Sequence, residues 1–378
     1  MFNLILAGDA MLGRGIDQIQ RHPCDPALRD PRTNSAVDFV RAAEAVNGPI
    51  PRLVEPGYVW GDAPQVLAGF APSLLLVNLE TALTTASEPA PRPITYRMNP
   101  MNAEVLQTLG VDCCALANNH VLDWGRDGLS ETLRTLDGLG IAHAGAGDDL
   151  AAAWRPARLA RPDGGHVLVV SLGIATSGVP RDWAARADAP GVAYLEGRLD
   201  RCVETVAAAL REVRQPGDIA VASIHWGPNW GYEVAPADMA LARALIDHAG
   251  IDIVHGHSSH HPRQIAVHRG RPIFLGCGDL INDYEGIRRY ERHGPRLAAL
   301  YAVAIEGTAI RDIRILPFRL RRFRLERAGA DDVRWLAETV NRHSRSLGTV
   351  WMPAEDGTLR LMALSQRQPT EDSSPRSS

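Results

Sequence analysis

Residues 251–261 read Ile-Asp-Ile-Val-His-Gly-His-Ser-Ser-His-His. A short apolar run closes on a polar cluster, and four of the chain's 13 histidines fall within residues 255–261. A mostly apolar run of this length predicts a strand buried on both faces. The histidines then stand at the carboxyl end of that strand, where open α/β sheets bind their ligands.

The same pattern recurs outward from this stretch. Leu4–Ala7 runs into Gly8-Asp9, and Leu74–Val77 into Asn78-Leu79-Glu80. Val111–Ala117 runs into Asn118-Asn119-His120, and Ile219–Ile224 into His225-Trp226-Gly227. Helices fall between some of these runs. Asn99-Pro100 is a cap followed by a first-turn proline, Val105, Leu106 and Leu109 form a stripe, and Gly110 ends it. Leu129, Leu133 and Leu136 keep helical spacing up to Gly140, as do Leu241, Leu245 and Ala249 before Gly250. Strands alternating with helices predict an α/β fold.

Residues 15–65, rich in Pro, Arg, Asp and Gly, read as a long loop with one helix near Asp38–Val46. Leu297–Ile305 and Ile310–Pro317 read as late strands, Arg319–Arg327 is strongly basic, and a helix opens at Asp331-Asp332. The expected organisation is one domain over 1–350, with 319–350 its C-terminal basic strand and helix, and a disordered polar tail over 365–378.

Composition narrows the function classes. The 378 residues are 45% hydrophobic and 22% charged, with a net charge of −4, so a whole-chain basic footprint for nucleic acid is absent. No run approaches the ~20 apolar residues of a membrane span. Met1–Ala10 has neither a basic leader nor a cleavage site, so no signal peptide is expected. Five cysteines, odd in number and without paired metal spacing, suit a reducing, cytoplasmic setting.

Asp9, Asn78, Glu80, Asn119, His120, His225, His255, His257, His260 and His261 are the collected strand-end residues. Carboxylate oxygens with imidazole nitrogens are ligands of Zn, Mn or Fe. Singly, each has a plainer reading: a cap for Asp9, a solvated carboxylate for Glu80, a turn for Asn118-Asn119, a core imidazole for His225. Five such clusters at five strand ends favour a metal site.

This ordered series resembles the calcineurin-like metallophosphoesterases. Its wording is closest to the CapA branch, the poly-γ-glutamate capsule biosynthesis proteins. The stretches that carry the likeness are Gly8-Asp9-Ala10-Met11-Leu12-Gly13-Arg14, Asn78-Leu79-Glu80, Asn118-Asn119-His120-Val121-Leu122-Asp123-Trp124-Gly125, His225-Trp226-Gly227 and Gly256-His257-Ser258-Ser259-His260. Gly276-Cys277-Gly278-Asp279-Leu280-Ile281-Asn282-Asp283 is similar to the closing strand motif, and the likeness covers about residues 2–350. It implies a metallophosphatase-like, four-layer αββα sandwich of two stacked mixed sheets. It also implies one or two divalent ions (Mn, Zn, Fe or Mg). Asp9 would ligate the first, Glu80 would replace the usual bridging aspartate, and Asn119, His225, His257 and His260 would complete the set. His255 is a reserve ligand, and His120 would assist the leaving group. Met11 stands where active members of the superfamily carry a histidine.

Arg14, just past Asp9, is placed either to hold an anionic substrate oxygen bidentately or to lie on the surface. Arg319, Arg321, Arg322, Arg324 and Arg327 form either a polyanion contact or a solvated face. The expected function is a metal-dependent hydrolase, a phosphoesterase or amide hydrolase, acting on an anionic small-molecule or polymer substrate. The alternatives are a non-catalytic subunit of anionic polymer synthesis or export with a degenerate metal site, and a structural metal protein.

Overall fold

The computed structural model describes residues 1–362. The tail expected over 365–378 lies outside them. Two mixed sheets make up the body. In the larger, ten-stranded sheet, Phe2–Ala10 runs parallel to Ser73–Leu79, which is parallel to Cys113–Ala115 and then Ala142–Ala144. On its other edge Phe2–Ala10 pairs antiparallel with Leu297–Glu306, which pairs antiparallel with Ala309–Arg321. The six-stranded sheet carries four parallel strands, His166–Gly173, Ile219–His225, Ile253–His257 and Arg271–Phe274, between antiparallel edges.

Side-chain alternation along each strand explains the stacking. Phe2, Leu4 and Leu6 point between the sheets and share a core with Val167, Val169, Ile219, Val221 and Ile253. Ile5 and Ala7 point the other way, into a core with Val40 and Leu129 of helices Val37–Asn47 and Gly125–Gly138. Leu168, Ala220 and Ala222 face outward onto Val206 and Leu245 of helices Leu199–Arg211 and Pro236–His248. The result is the four-layer αββα sandwich.

Several expectations need revising. The large sheet continues past residue 350, because Trp351–Pro353 and Leu359–Leu361 pair with each other and with Ala309–Arg321. Trp351 and Leu359 are fully buried in the inter-sheet core, so the domain runs to residue 361. The loop expected over 15–65 also contains a hairpin, Ala27–Asp30 with Thr33–Ser35, and a short helix Ala63–Ala68. Strand His166–Gly173 ends in glycine rather than a ligand-type residue, so it lacks the pattern of an apolar run with a polar end.

Gly8 controls how Asp9 is presented. The register of Phe2–Ala10 shifts between Ala7 and Asp9, which leaves Gly8 as a bulge residue. A β-bulge re-aims the side chain that follows it. Asp9 then stands beside Asn78 on one side and Asp279 of strand Asp279–Ile281 on the other. A Cβ on Gly8 would lie 1.7 Å from the Gly278 carbonyl oxygen, the acceptor of the Asp9 amide. Gly8→Ala must therefore move backbone rather than a flexible side chain. We expect a loss of about 1–3 kcal/mol or more in urea unfolding; unchanged stability would show that the two strands do not meet this closely.

Candidate metal centre

The carboxyl ends of the parallel strands bring the expected residues into one buried cluster. Asp9 Oδ1 accepts from Asn78 Nδ2 at 2.7 Å, and Asp9 Oδ2 from the Ser258 amide at 3.2 Å. His225 and His257 are register partners on adjacent strands, with their Nδ1 atoms 2.8 Å apart. His225 Nε2 lies 3.0 Å from Asn119 Oδ1 and 3.7 Å from Glu80 Oε1. Donor atoms of Asp9, His225 and His257 all lie within 4.8 Å of one another. So do those of Asp9, His260 and Asp279, which makes Asp9 common to both groups.

His260 completes the second group through Asp279. Its Nδ1 is 2.8 Å from Asp279 Oδ1, its Nε2 is 2.8 Å from Asn229 Nδ2, and Asn282 Nδ2 donates to the other Asp279 oxygen at 2.7 Å. Asp279 lies in the closing strand motif, but no spacing rule singles it out. Its signal is topological, because strand Asp279–Ile281 pairs directly with the strand that ends at Asp9.

Arg14 is a correction. Its guanidinium is bidentate on Asp283, close to Asp30 at 3.4 Å, and sandwiched against Phe39 and Tyr96. The side chain is 1% exposed, so it is neither a surface residue nor a substrate clamp. The arginines that do reach the cleft are Arg32 and Arg92. They line a cavity of about 250 Å³ together with Asn119, His120, Asn229 and His260. The basic C-terminal stretch is partly neutralised, since Arg319 is bidentate on Asp332 and Arg321 lies near Glu326. His255, the reserve ligand, has both ring nitrogens engaged, one by the Ala7 carbonyl and one by the Ser223 hydroxyl.

The electrostatics of the cluster favour a cation. Burial pushes the Asp9 carboxyl up to about 7, with the Asp279 charge adding to it. Burial and the Asp9 charge push Glu80 well above the usual carboxylate range. Glu80 Oε2 is buried and has no hydrogen-bond partner. Burial drives His225 and His257 well below the usual imidazole range, so both are neutral, the form that binds metals. His260 is the exception: burial disfavours its charge, but Asp279 and Asp9 outweigh that and raise it. Converging carboxylates, an orphaned oxygen and neutral imidazoles fit one or two divalent ions.

His120 sits to one side of these donors. Its Nδ1 makes a 2.6 Å bond to Asp123 Oδ2, and its Nε2 is 3.9 Å from Glu80. Burial lowers His120 and raises Asp123, so both partners are pushed toward their neutral forms. Asp123 holds Nδ1, which leaves Nε2 as the nitrogen turned toward Glu80. Arg92 lies 3.3 Å from Asp123 Oδ1.

Comparison with known proteins identifies the family. The family model of the bacterial capsule synthesis protein PGA_cap matches residues 3–284. The "Probable polyglutamine synthesis accessory protein" of Mycobacterium tuberculosis is 46% identical over 363 residues, 95% of each chain. The "PGA biosynthesis protein CapA" of Bacillus subtilis is 29% identical over 194 residues, 51% of this chain and 48% of that one. A hypothetical protein from Thermus thermophilus superposes with a TM-score of 0.44 at 14% identity, covering 84% of this chain and 99% of that one. Among the described residues, no helix is long and apolar enough to cross a membrane.

Two predictions follow from the cluster's charges. The folded-state value of Asp9 is raised from 3.8 to about 7, so in metal-free protein its contribution to stability is full below 3.8 and is lost as pH rises through about 7. Mn²⁺ must displace that proton, so its affinity should climb over the same interval with proton release, measurable by calorimetry in buffers of different ionisation enthalpy. A pH-independent affinity would contradict it. Separately, Arg14→Met should cost about 3–5 kcal/mol in urea unfolding, because it strands the buried Asp283 carboxylate. A small stability change would restore a role for Arg14 outside the fold.

Proposed function

The chain belongs to the bacterial capsule synthesis protein family PGA_cap, and we propose that it is a metal-dependent hydrolase of an anionic substrate in the synthesis of a capsular polymer. The observation that carries this reading is Asp9, shared between two buried donor groups, one of whose members, His260, lines the cavity together with Asn119 and His120. Asp9, Asn119, His225, His257, His260 and Asp279 would hold one or two divalent ions, with Glu80 reaching them through its unpartnered oxygen. When bound, such an ion acidifies water and polarises the scissile centre.

The protein's own residues supply the remainder. Arg92 and Arg32 line the cavity, Arg32 already bidentate on Asp30, so Arg92 is the one that favours a substrate bringing negative charge. His120 offers its Nε2 proton to the leaving group. The 2.6 Å bond to Asp123 at Nδ1 orients the imidazole for this. Asp123 in turn lies 3.3 Å from the Arg92 guanidinium. The substrate is a phosphoester or an amide, either of which leaves through an atom that needs this proton.

Met11 favours a second reading, a non-catalytic accessory role. Its thioether is buried where a histidine ligand is expected, and a thioether is a poor donor to Zn, Mn or Fe. The mycobacterial relative is named an accessory protein, which points the same way.

Turnover of bis(p-nitrophenyl) phosphate and of γ-linked glutamate oligomers by Mn²⁺-loaded protein separates the two readings. On the hydrolase reading, His120→Ala should keep its metal content and lose roughly 10²–10⁴-fold in kcat. Asp9→Asn should lose metal and activity together. If metal-loaded wild type turns over neither substrate, the accessory reading stands. If His120→Ala loses metal as Asp9→Asn does, His120 is a ligand.

A further inference from the structure

We propose that Ser223 and His255 form a buried relay that fixes the tautomer of His257, so that Nδ1 rather than Nε2 is its ligating atom. The inference rests on the metal site proposed above, but its first observable does not require metal.

The starting point is a group that cannot change its polarity. His255 Nε2 lies 2.9 Å from the Ala7 carbonyl oxygen, and a carbonyl only accepts. His255 is fully buried and neither ring nitrogen faces a carboxylate, so it is neutral and holds its single proton on Nε2. Its Nδ1 is then a lone pair, 3.0 Å from Ser223 Oγ. The hydroxyl must donate there, which uses its one proton. Ser223 Oγ is also 2.9 Å from His257 Nε2, and it can now only accept. His257 therefore carries its proton on Nε2 and leaves Nδ1 bare. The opposite tautomer would set a lone pair against an oxygen with no proton to offer.

The bare nitrogen points into the site, where His257 Nδ1 lies 2.8 Å from His225 Nδ1. With Asn119 Oδ1 accepting from His225 Nε2 at 3.0 Å, His225 Nδ1 is a lone pair as well. Two lone pairs at this distance repel. The conflict is removed in one of two ways: the Asn119 amide turns over, or a cation sits where the lone pairs converge. The relay thus points both imidazoles at one place before any ion arrives.

The fold makes the relay from strand periodicity. Ser223 pairs in register with His255, and His225 with His257, on adjacent parallel strands. Residues two apart share a face, so all four follow Val221 and Ile253 on the face turned toward the large sheet. Ala7 belongs to the strand across that gap. None of this gives Ser223 or His255 contact with a metal or substrate. They are positioning residues, comparable to the outer partners that orient metal-bound histidines elsewhere.

The test begins with nitrogen-15 histidine-labelled, metal-free protein near neutral pH. Multiple-bond nitrogen–proton correlation spectra distinguish the two tautomers, and His255→Leu and His257→Gln assign the signals. Both His255 and His257 should be protonated on Nε2; a proton on His257 Nδ1 overturns the proposal. Calorimetry with Mn²⁺ alone then compares variants. Ser223→Ala and His255→Leu should weaken binding roughly 10–100-fold. His255→Gln, whose amide both donates and accepts, should recover most of the loss. A role in packing alone predicts that leucine, close to histidine in size, serves as well as glutamine, and that result overturns the relay. Should a variant fail to fold, the wild-type tautomer still decides. Should wild type bind no Mn²⁺, the metal reading falls, while the tautomer measurement still judges the relay.

Discussion

The constraint on which the site depends is an unbalanced charge. Asp9, Glu80 and Asp279 converge inside the protein, and His260 is the imidazole their field favours charging. The nearest guanidiniums do not balance them. Arg14 is held by Asp283 and Asp30, and Arg92 lies against Asp123 and the Asn119 carbonyl. Buried carboxylates that outnumber the positive charges beside them are costly, so such a cluster takes up either protons or a cation. The rise of Asp9 and Glu80 describes the first outcome, and the convergence of neutral imidazoles on the same place prepares the second. Both are one physical fact seen with and without a cation.

The architecture makes that concentration tolerable. Five strand ends deliver their residues to one edge of two packed sheets, and the hydrophobic interior between the sheets holds the backbone in register. Polar groups enter the gap only where strand periodicity extends the apolar face by one or two residues, as from Val221 to Ser223 and His225. The bulge at Gly8 is the local departure from regularity, and it sets Asp9 between Asn78 and Asp279. Fold and site are therefore not separable: the close approach that Gly8 permits is also what brings the second donor group within reach of the first.

Much of this was legible in the sequence, for definite reasons. Apolar runs that end in Asp, Asn or His announce buried strands with ligands at their tips, and Asp9, Asn119, His225 and His257 were readable in that way. What periodicity cannot supply is pairing across the chain. Asp279 becomes a donor because its strand lies beside residue 9, and Ser223 matters because its strand lies in register with His255. Arg14 misled for the same reason: its partner Asp283 is 269 residues away, and no local pattern discloses that the pair is buried. Strand His166–Gly173 is an interior strand of its sheet, yet it ends in glycine and so lacks the ligand-type tip that marks the others in the sequence.

Met11 is instructive in this light. Judged by sequence alone, a thioether in place of an imidazole suggests a site short of one donor. In the folded chain Met11 is buried and its amide bonds the Ile281 carbonyl, so this segment is tied to the closing strand. That same strand begins at Asp279, which carries His260 at 2.8 Å. Asp279 and His260 thus form a donor group with Asp9 without any contribution from residue 11. Residue 11 is thereby tied into the frame that carries the second group without offering it an atom. The thioether at position 11 therefore does not by itself remove the donor group of Asp9, His260 and Asp279 on which the proposed metal site relies.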